Sequence, residues 1–517
     1  MSNTDTFLQA ITAGYSFKGE SIHLGIGMLD GHAVTGAGVY LPLRTMNRHG
    51  LIAGATGTGK TKTLQMISEA LSDASIPVLL MDIKGDLSGL AAAGTSNDKI
   101  AERYKLMGAE YKPASYPVEF LSLSKEKGVR LRATVSEFGP VLLSRILGLN
   151  DTQESVVALV FKFCDDNKLP LLDLKDFIKV LQYVSNEGKA QIEKAYGKIA
   201  TSSTGTILRK VIELQQQGAD PFFGEKSFEV DDLMRISDDG RGMISILRVT
   251  DLQDRPKLFS TFMLQMLAEL YATCPEEGDP EKPRLVLFID EAHLVFQEAG
   301  DALLQQILTI IKLIRSKGVG VFFCTQNPTD IPAGVLSQLG LKVQHALRAF
   351  TAADRKAIKQ AAENYPESDF YKTEDLITQL GIGEAFVTLL NEKGIPTPLV
   401  HCMLCSPRSR MDILTPSEID AITAKSRLVA KYNETIDSQS AYEILTAKLE
   451  EAAEKGGDTT GGNGSGGSPK PGKEQKSTLD KLLENPAVRQ IERTAASVIT
   501  RSLLGALGLG GRTTRRR

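Results

Sequence analysis

Residues 50–61 read Gly50-Leu51-Ile52-Ala53-Gly54-Ala55-Thr56-Gly57-Thr58-Gly59-Lys60-Thr61. An apolar strand (LIA) runs into a glycine-rich turn, and a segment of helical spacing (TKTLQMISEAL) follows. From Gly54 to Thr61 the turn satisfies G-x-x-x-x-G-K-[ST] at every defined position, in the strand-turn-helix setting that motif requires. The glycines let the backbone curl so that successive N–H groups point inward, and the helix N-terminus adds its partial positive charge. Such a loop cradles phosphate. The expected cradle is Gly54, Ala55, Thr56, Gly57, Thr58, Gly59, Lys60, Thr61 and Lys62, with Lys60 on the β- and γ-phosphates and the Thr61 hydroxyl on Mg²⁺. ATP and Mg²⁺ are the expected ligands.

A phosphate cradle needs a carboxylate at the end of a neighbouring strand to hold the metal. PVLLMD ends in Asp82, but Ile83 and Lys84 follow, so no base stands beside it. RLVLFIDEAH ends in Asp290 followed at once by Glu291. Adjacent residues at a strand end project differently, so Asp290 is assigned to the metal and Glu291 to the attacking water as general base. Taken alone, an Asp-Glu pair could equally cap the next helix. On the next strand, GVGVFFCTQ ends in Gln326, which could sense the γ-phosphate.

Around these motifs apolar strands alternate with amphipathic helices, which implies an α/β fold with a mostly parallel sheet covered on both faces. Residues 1–47 form a short β-rich lead-in, and 48–135 the first part of the core. Residues 136–217 space their apolar positions by three and four almost throughout and read as a helical insertion. The core resumes over 218–410, polar helices fill 411–454, and 455–476 is a Gly/Ser/Pro linker. The last segment, 477–517, is a basic amphipathic helix ending in RTTRRR. Nine Lys/Arg stand against three Asp/Glu in residues 476–517. Such a helix could meet anionic lipid, DNA phosphates or a protein partner, or pack back on its own core.

With 517 residues, 42% apolar and 24% charged, the chain has the composition of a globular protein, and a net charge of −3 excludes bulk electrostatic attraction to nucleic acid. The amino terminus has no signal-peptide pattern, and no apolar run is long enough to span a bilayer. Five cysteines, an odd and sparse set, point away from a disulfide framework and towards a cytoplasmic location. Cys402 and Cys405 make one C-x-x-C, which supplies two ligands where a structural zinc site needs four, so both are expected in the core.

The order NRHGLIAGATGTGKT, VLLMDIKGDLSGL, LVLFIDEAH, IRSKGVGVFFCTQNP and GEAFVTLL resembles the HerA–FtsK superfamily of P-loop ATPases, over about residues 18–410. It is especially similar to the bacterial HerA-like helicase-domain proteins. The resemblance implies a RecA/HerA-like fold and a homo-hexameric ring with nucleotide between subunits. It also implies a motor that moves or unwinds double-stranded DNA, with an additional protein partner left open. Arg315 stands where the family places an arginine that reaches the neighbour's nucleotide, and Arg348 is a second candidate. Two departures stand out. The lead-in is shorter than the barrel of archaeal HerA, and no winged-helix module like that of FtsK follows the core. An ATP-switched scaffold that does not translocate, or a membrane-associated coupling ATPase, are the alternative readings.

Overall fold

In the computed structural model, described here for residues 2–457 except Lys125, Asp254, 298–300, Thr435 and Asp437, the chain divides into two compact units. One comprises residues 1–130 and 229–433, the other 131–228 with the chain from 434 onward. The basic segment 477–517 and the linker 455–476 lie, apart from residues 455–457, outside the described residues.

The first unit is built on one twelve-stranded sheet. In chain order its strands are β1 (Ser21–Leu29), β2 (His32–Pro42), β3 (Gly50–Ala53), β4 (Val78–Asp82), β5 (Val118–Ser122) and β6 (Val129–Arg130). They continue with β7 (Ile244–Arg248), β8 (Leu285–Ile289), β9 (Val319–Thr325), β10 (Leu341–Gln344), β11 (Glu384–Thr388) and β12 (Val400–Leu404). Across the sheet the order is β2-β1-β12-β11-β10-β3-β9-β8-β4-β7-β5-β6. From β10 to β6 every neighbouring pair is parallel, and the remaining pairs are antiparallel. Every residue of β3, β4, β8 and β9 is buried, as strands covered on both faces must be.

The amino-terminal stretch carries the expected β structure in β1 and β2, but not β structure alone. It opens with a helix, Asn3–Gly14, whose start is fixed by a reciprocal capping box between Ser2 and Asp5. The hairpin β1–β2 then turns at Asp30-Gly31, both at positive φ, and β1 pairs with β12, so these strands extend the main sheet.

The second unit is helical, with helices Val135–Leu147, Asp151–Asp166, Leu174–Ser185, Lys189–Tyr196 and Thr201–Gln216. Its borders run slightly wider than 136–217, and it also takes in Ala441–Gly457 from the carboxyl-terminal helices, so the segment 411–454 is shared between the two units. Buried Asp176 explains the return. One carboxylate oxygen accepts from Leu172 N (2.8 Å) and Asp173 N (3.1 Å), the other from the Ser440 hydroxyl (2.5 Å) and Tyr442 N (3.0 Å).

His49, just before β3, locks the middle of the sheet to its cover. Val321 N on β9 donates to its Nδ1 at 3.0 Å, so Nε2 carries the proton and donates to Ile311 O (2.7 Å) on the helix Asp301–Ile314. Burial, opposed by that carbonyl, lowers its pKa from 6.5 to about 4. The ring stays neutral in the fold, whereas the unfolded chain takes up a proton below 6.5. Stability is therefore unaffected above that value and falls as pH drops through the window between 6.5 and 4, by about 2 kcal/mol at pH 5. In urea titrations a His49→Gln variant is expected to be less stable than the parent at pH 7.5 but to lose less between pH 7 and pH 5. Equal losses would remove His49 as the cause.

Candidate active site at the carboxyl edge of the sheet

The cradle follows β3 as its motif requires. Gly54, Gly57 and Gly59 have φ of 153°, 79° and 116°, a region that side-chain-bearing residues avoid. At Gly54 space forbids a side chain as well, because a Cβ there would lie 2.5 Å from His345 Cβ. The loop is anchored on both sides: Gly54 N donates to Thr325 O (3.2 Å) of β9, and Ala55 N to Ala346 O (2.8 Å) beyond β10. Behind it, Thr63 hydrogen-bonds the buried His345 ring (2.9 Å). Burial and the Lys60 charge hold that ring's pKa down at about 4.

The helix Lys60–Asp73 starts from Gly59 without a side-chain cap, unlike the capping boxes at Asn3–Gly14, Val135–Leu147 or Asp151–Asp166. Its first N–H groups are therefore not competed for by a side chain, which suits an anion at that end. Lys60 Nζ lies across the loop, donating to Gly54 O (2.6 Å) and Ala55 O (3.2 Å). Thr61 is half-buried in the first turn. Lys62 is turned away from the cradle, with Nζ donating to Met411 O (2.5 Å) and Gln65 Oε1 (3.2 Å).

β9 lies between β3 and β8, and all three strands are parallel, so their carboxyl ends open on the same edge. That edge receives Asp290 and Glu291 from β8 and Gln326 from β9. Asp290, Glu291 and Lys60 are only 4%, 5% and 6% exposed, whereas Gln326 is exposed. Glu291 takes φ of 44°, rare for a residue with a side chain, and Ala292 N donates to Cys324 O (2.9 Å), tying the turn to β9. The charges are mutually felt. Burial, then the like charge of Lys84, lowers the Lys60 pKa, while Glu291 and Asp290 oppose that shift.

The two candidate metal carboxylates are told apart by their bonds. Asp82 spends its oxygens on backbone donors: Gly85 N (2.7 Å) and Asp86 N (3.2 Å) on one, Leu87 N (3.3 Å) on the other. Asp290 Oδ2 is buried and makes no hydrogen bond, a costly arrangement for a carboxylate that a cation would relieve. Burial pushes Asp290 up to about 6, against the pull of Lys84. The Thr61 hydroxyl and the Asp290 carboxylate are oxygen ligands suited to Mg²⁺, and the N–H groups of the uncapped helix end suit the polyphosphate it would accompany.

Two groupings at the site, though not every residue in them, were not legible in the sequence. Lys84, in the Lys-Gly-Asp turn after β4, forms an ion pair with Glu291. Placing a polar turn at the carboxyl edge was possible, but the partner was not, because it comes from another strand. The second feature lies at the opposite edge. The turn Leu43–Arg48 precedes β3, and Arg315–Lys317 precedes β9, so Arg44, Arg48 and Arg315 gather at the amino ends of the strands. Asn47 Nδ2 reaches Arg315 O (3.5 Å) between the two turns. Arg315 pairs with Asp279 (3.0 Å) and Arg44 with Glu281 (3.4 Å). The Arg48 pKa is lowered by burial and then by the charges of Arg315 and Arg44, with Asp279 opposing. The seven residues of β9 put this edge on the order of 20 Å from the same chain's cradle. Arg348 follows β10 instead, at the cradle's own edge, and donates to Thr378 O (2.8 Å).

Among the described residues no group of three His, Cys, Asp or Glu could hold a metal ion, and Cys402 is buried on β12. No helix among them is long and apolar enough to cross a membrane.

Comparison with known proteins agrees with this architecture. The chain is 23% identical over 371 residues to the DNA import protein CedB of Sulfolobus acidocaldarius, covering 69% of this chain and 52% of that protein. It is 21% identical over 375 residues to the DNA double-strand break repair helicase HerA of the same organism, covering 69% of this chain and 66% of that one. The chain thus spans about half to two thirds of the length of these relatives. Among solved structures, the bacterial conjugative coupling protein TrwBdeltaN70 superposes with a TM-score of 0.50 at 12% identity, over 79% of this chain and 95% of the other, a likeness of fold. Residues 29–515 match the family described as helicase HerA-like C-terminal, and the chain belongs to that family of P-loop ATPases.

Proposed function

We propose that the chain is a Mg²⁺-dependent ATPase that works as a ring-type motor on double-stranded DNA. The observation that carries this reading is the division of one catalytic set between the two edges of one sheet. Lys60, Thr61, Asp290 and Glu291 stand at the carboxyl edge, and Arg44, Arg48 and Arg315 at the amino edge. A subunit built this way carries half of a site at each edge. Head-to-tail packing completes each site with the neighbour's arginines, and such a heterologous contact closes into rings. The hexameric count and the cytoplasmic location belong to this proposal, as does DNA, which appears in the names of the relatives.

Within the site, the loop N–H groups and Lys60 bind the β- and γ-phosphates, and Thr61 and Asp290 would hold Mg²⁺, which neutralises phosphate charge when bound. Glu291 accepts the proton of the attacking water. Gln326 faces the same edge and helps to align that water. Arg315, with Arg48 beside it, stabilises negative charge on the phosphoryl group bound by the next subunit.

Glu291→Gln is expected to lower turnover by about 10²–10⁴-fold while nucleotide still binds, and Lys60→Ala to abolish both, as read by phosphate release and equilibrium binding. The arginines are tested by mixing. Subunits carrying Lys60→Ala and subunits carrying Arg315→Ala, each inactive alone, should recover turnover together. A mixture no faster than the sum of its parts would place Arg315 in its own subunit's chemistry. ATPase rates should rise with duplex DNA and lose that stimulation steeply with salt, on particles whose mass by light scattering is a multiple of the subunit. A monomer with DNA-insensitive turnover would end the motor reading and leave the nucleotide site standing.

A further inference from the structure

β4 is the neighbour of β8, with Met81 opposite Ile289, so the residues that leave the two strands emerge side by side. After β4 the backbone is pinned by Asp82, which accepts from Gly85, Asp86 and Leu87, and Gly85 turns at φ of 76°. Lys84 is thereby held over the end of β8, where its ammonium ion-pairs with Glu291 Oε1 while the other oxygen of Glu291 lies 3.2 Å from His293 Nδ1. Glu291 itself leaves β8 at a positive φ of 44°. Lys84 is also close enough to Lys60 for the two positive charges to oppose each other. Burial alone would lower the Lys84 pKa, but the pair with Glu291 and the nearby Asp290 raise it, so the ammonium is charged.

We propose that Lys84 gates Glu291: it holds the carboxylate in an ion pair until the terminal phosphate of a bound nucleoside triphosphate draws its ammonium away and frees Glu291 for water. The inference rests on the ATPase reading. A carboxylate oxygen committed to an ammonium is a poor acceptor for a water proton, so the pair must open before hydrolysis. A terminal phosphate carries more negative charge than a carboxylate, and two lysines facing one partly buried space favour an added anion. A diphosphate ends short of Lys84, which then returns to Glu291. Lys84 is a positioning residue in this scheme, and the gate suppresses turnover without a triphosphate in place.

The test is binding, measured by calorimetry with Mg²⁺ present, of the β,γ-imido analogue of ATP and of ADP. The parent is expected to prefer the analogue. Lys84→Met should reduce that preference at least about fivefold, mainly by weakening the analogue, and Lys84→Arg should keep most of it. Glu291→Gln releases Lys84 without removing it. It should tighten the analogue at least about fivefold and leave ADP unchanged, and the gain should vanish in the Lys84→Met/Glu291→Gln double variant. An unchanged preference in Lys84→Met, or a gain from Glu291→Gln that persists in the double variant, overturns the gate and shows Lys84 to be a fixed counter-ion. Should Lys84→Met not fold, the Glu291→Gln variant decides alone, since no tightening of the analogue overturns the gate. A parent that binds neither nucleotide fails the ATPase reading itself, an outcome distinct from all of these.

Discussion

Lys60, Asp290 and Glu291 are nearly buried at one edge of the sheet, where unpaired charges are expensive, and Lys84, more exposed, ion-pairs with Glu291, so that each buried charge is tolerated because the others are present. That mutual dependence governs the surrounding structure. The cradle must be glycine-rich to leave room against His345, the turn after β4 must be pinned by Asp82 to hold Lys84 in place, and Glu291 must take a strained φ to meet it. Such strain at a charged turn belongs to a site that trades local comfort for geometry.

The sheet supplies the rigidity this arrangement needs. With β9 inserted between β3 and β8, the cradle and the acidic couplet stand one strand apart. His49 fixes the other end of the same strands by bridging β9 to the helix Asp301–Ile314 through a single neutral ring. Its neighbour in sequence, Arg48, belongs to the arginine group at the amino edge. A buried packing residue and a clustered charge thus stand side by side just before β3.

The segment after β12 adds a further tie to the nucleotide helix. Buried Glu69, in the middle of that helix, accepts from Arg408 N (2.7 Å), Ser409 N (3.0 Å) and the Ser409 hydroxyl (2.5 Å), and Met411 O receives Lys62. These bonds fasten the cradle helix to the chain that leaves the sheet. The helical unit formed by residues 131–228 with Ala441–Gly457 has its own core, closed by buried Asp176.

Read alone, the sequence determined the local pieces. The G-x-x-x-x-G-K-T turn, the Asp290–Glu291 couplet at a strand end, the alternation of strands with helices and the helical run after Ser136 are all set by neighbours within a few residues, through φ preferences and hydrophobic period. The helix Asn3–Gly14 was also written locally, in the Ser2–Asp5 capping box, but the glycine-rich strands after it drew the reading towards β structure. Other features were decided only by tertiary structure: the antiparallel strands that join the amino terminus to β12, the Lys84–Glu291 ion pair, and the gathering of Arg44 and Arg48 beside Arg315. Each joins residues from different strands, and strand order in a sheet follows from burying the whole core at once, which no stretch of sequence specifies by itself.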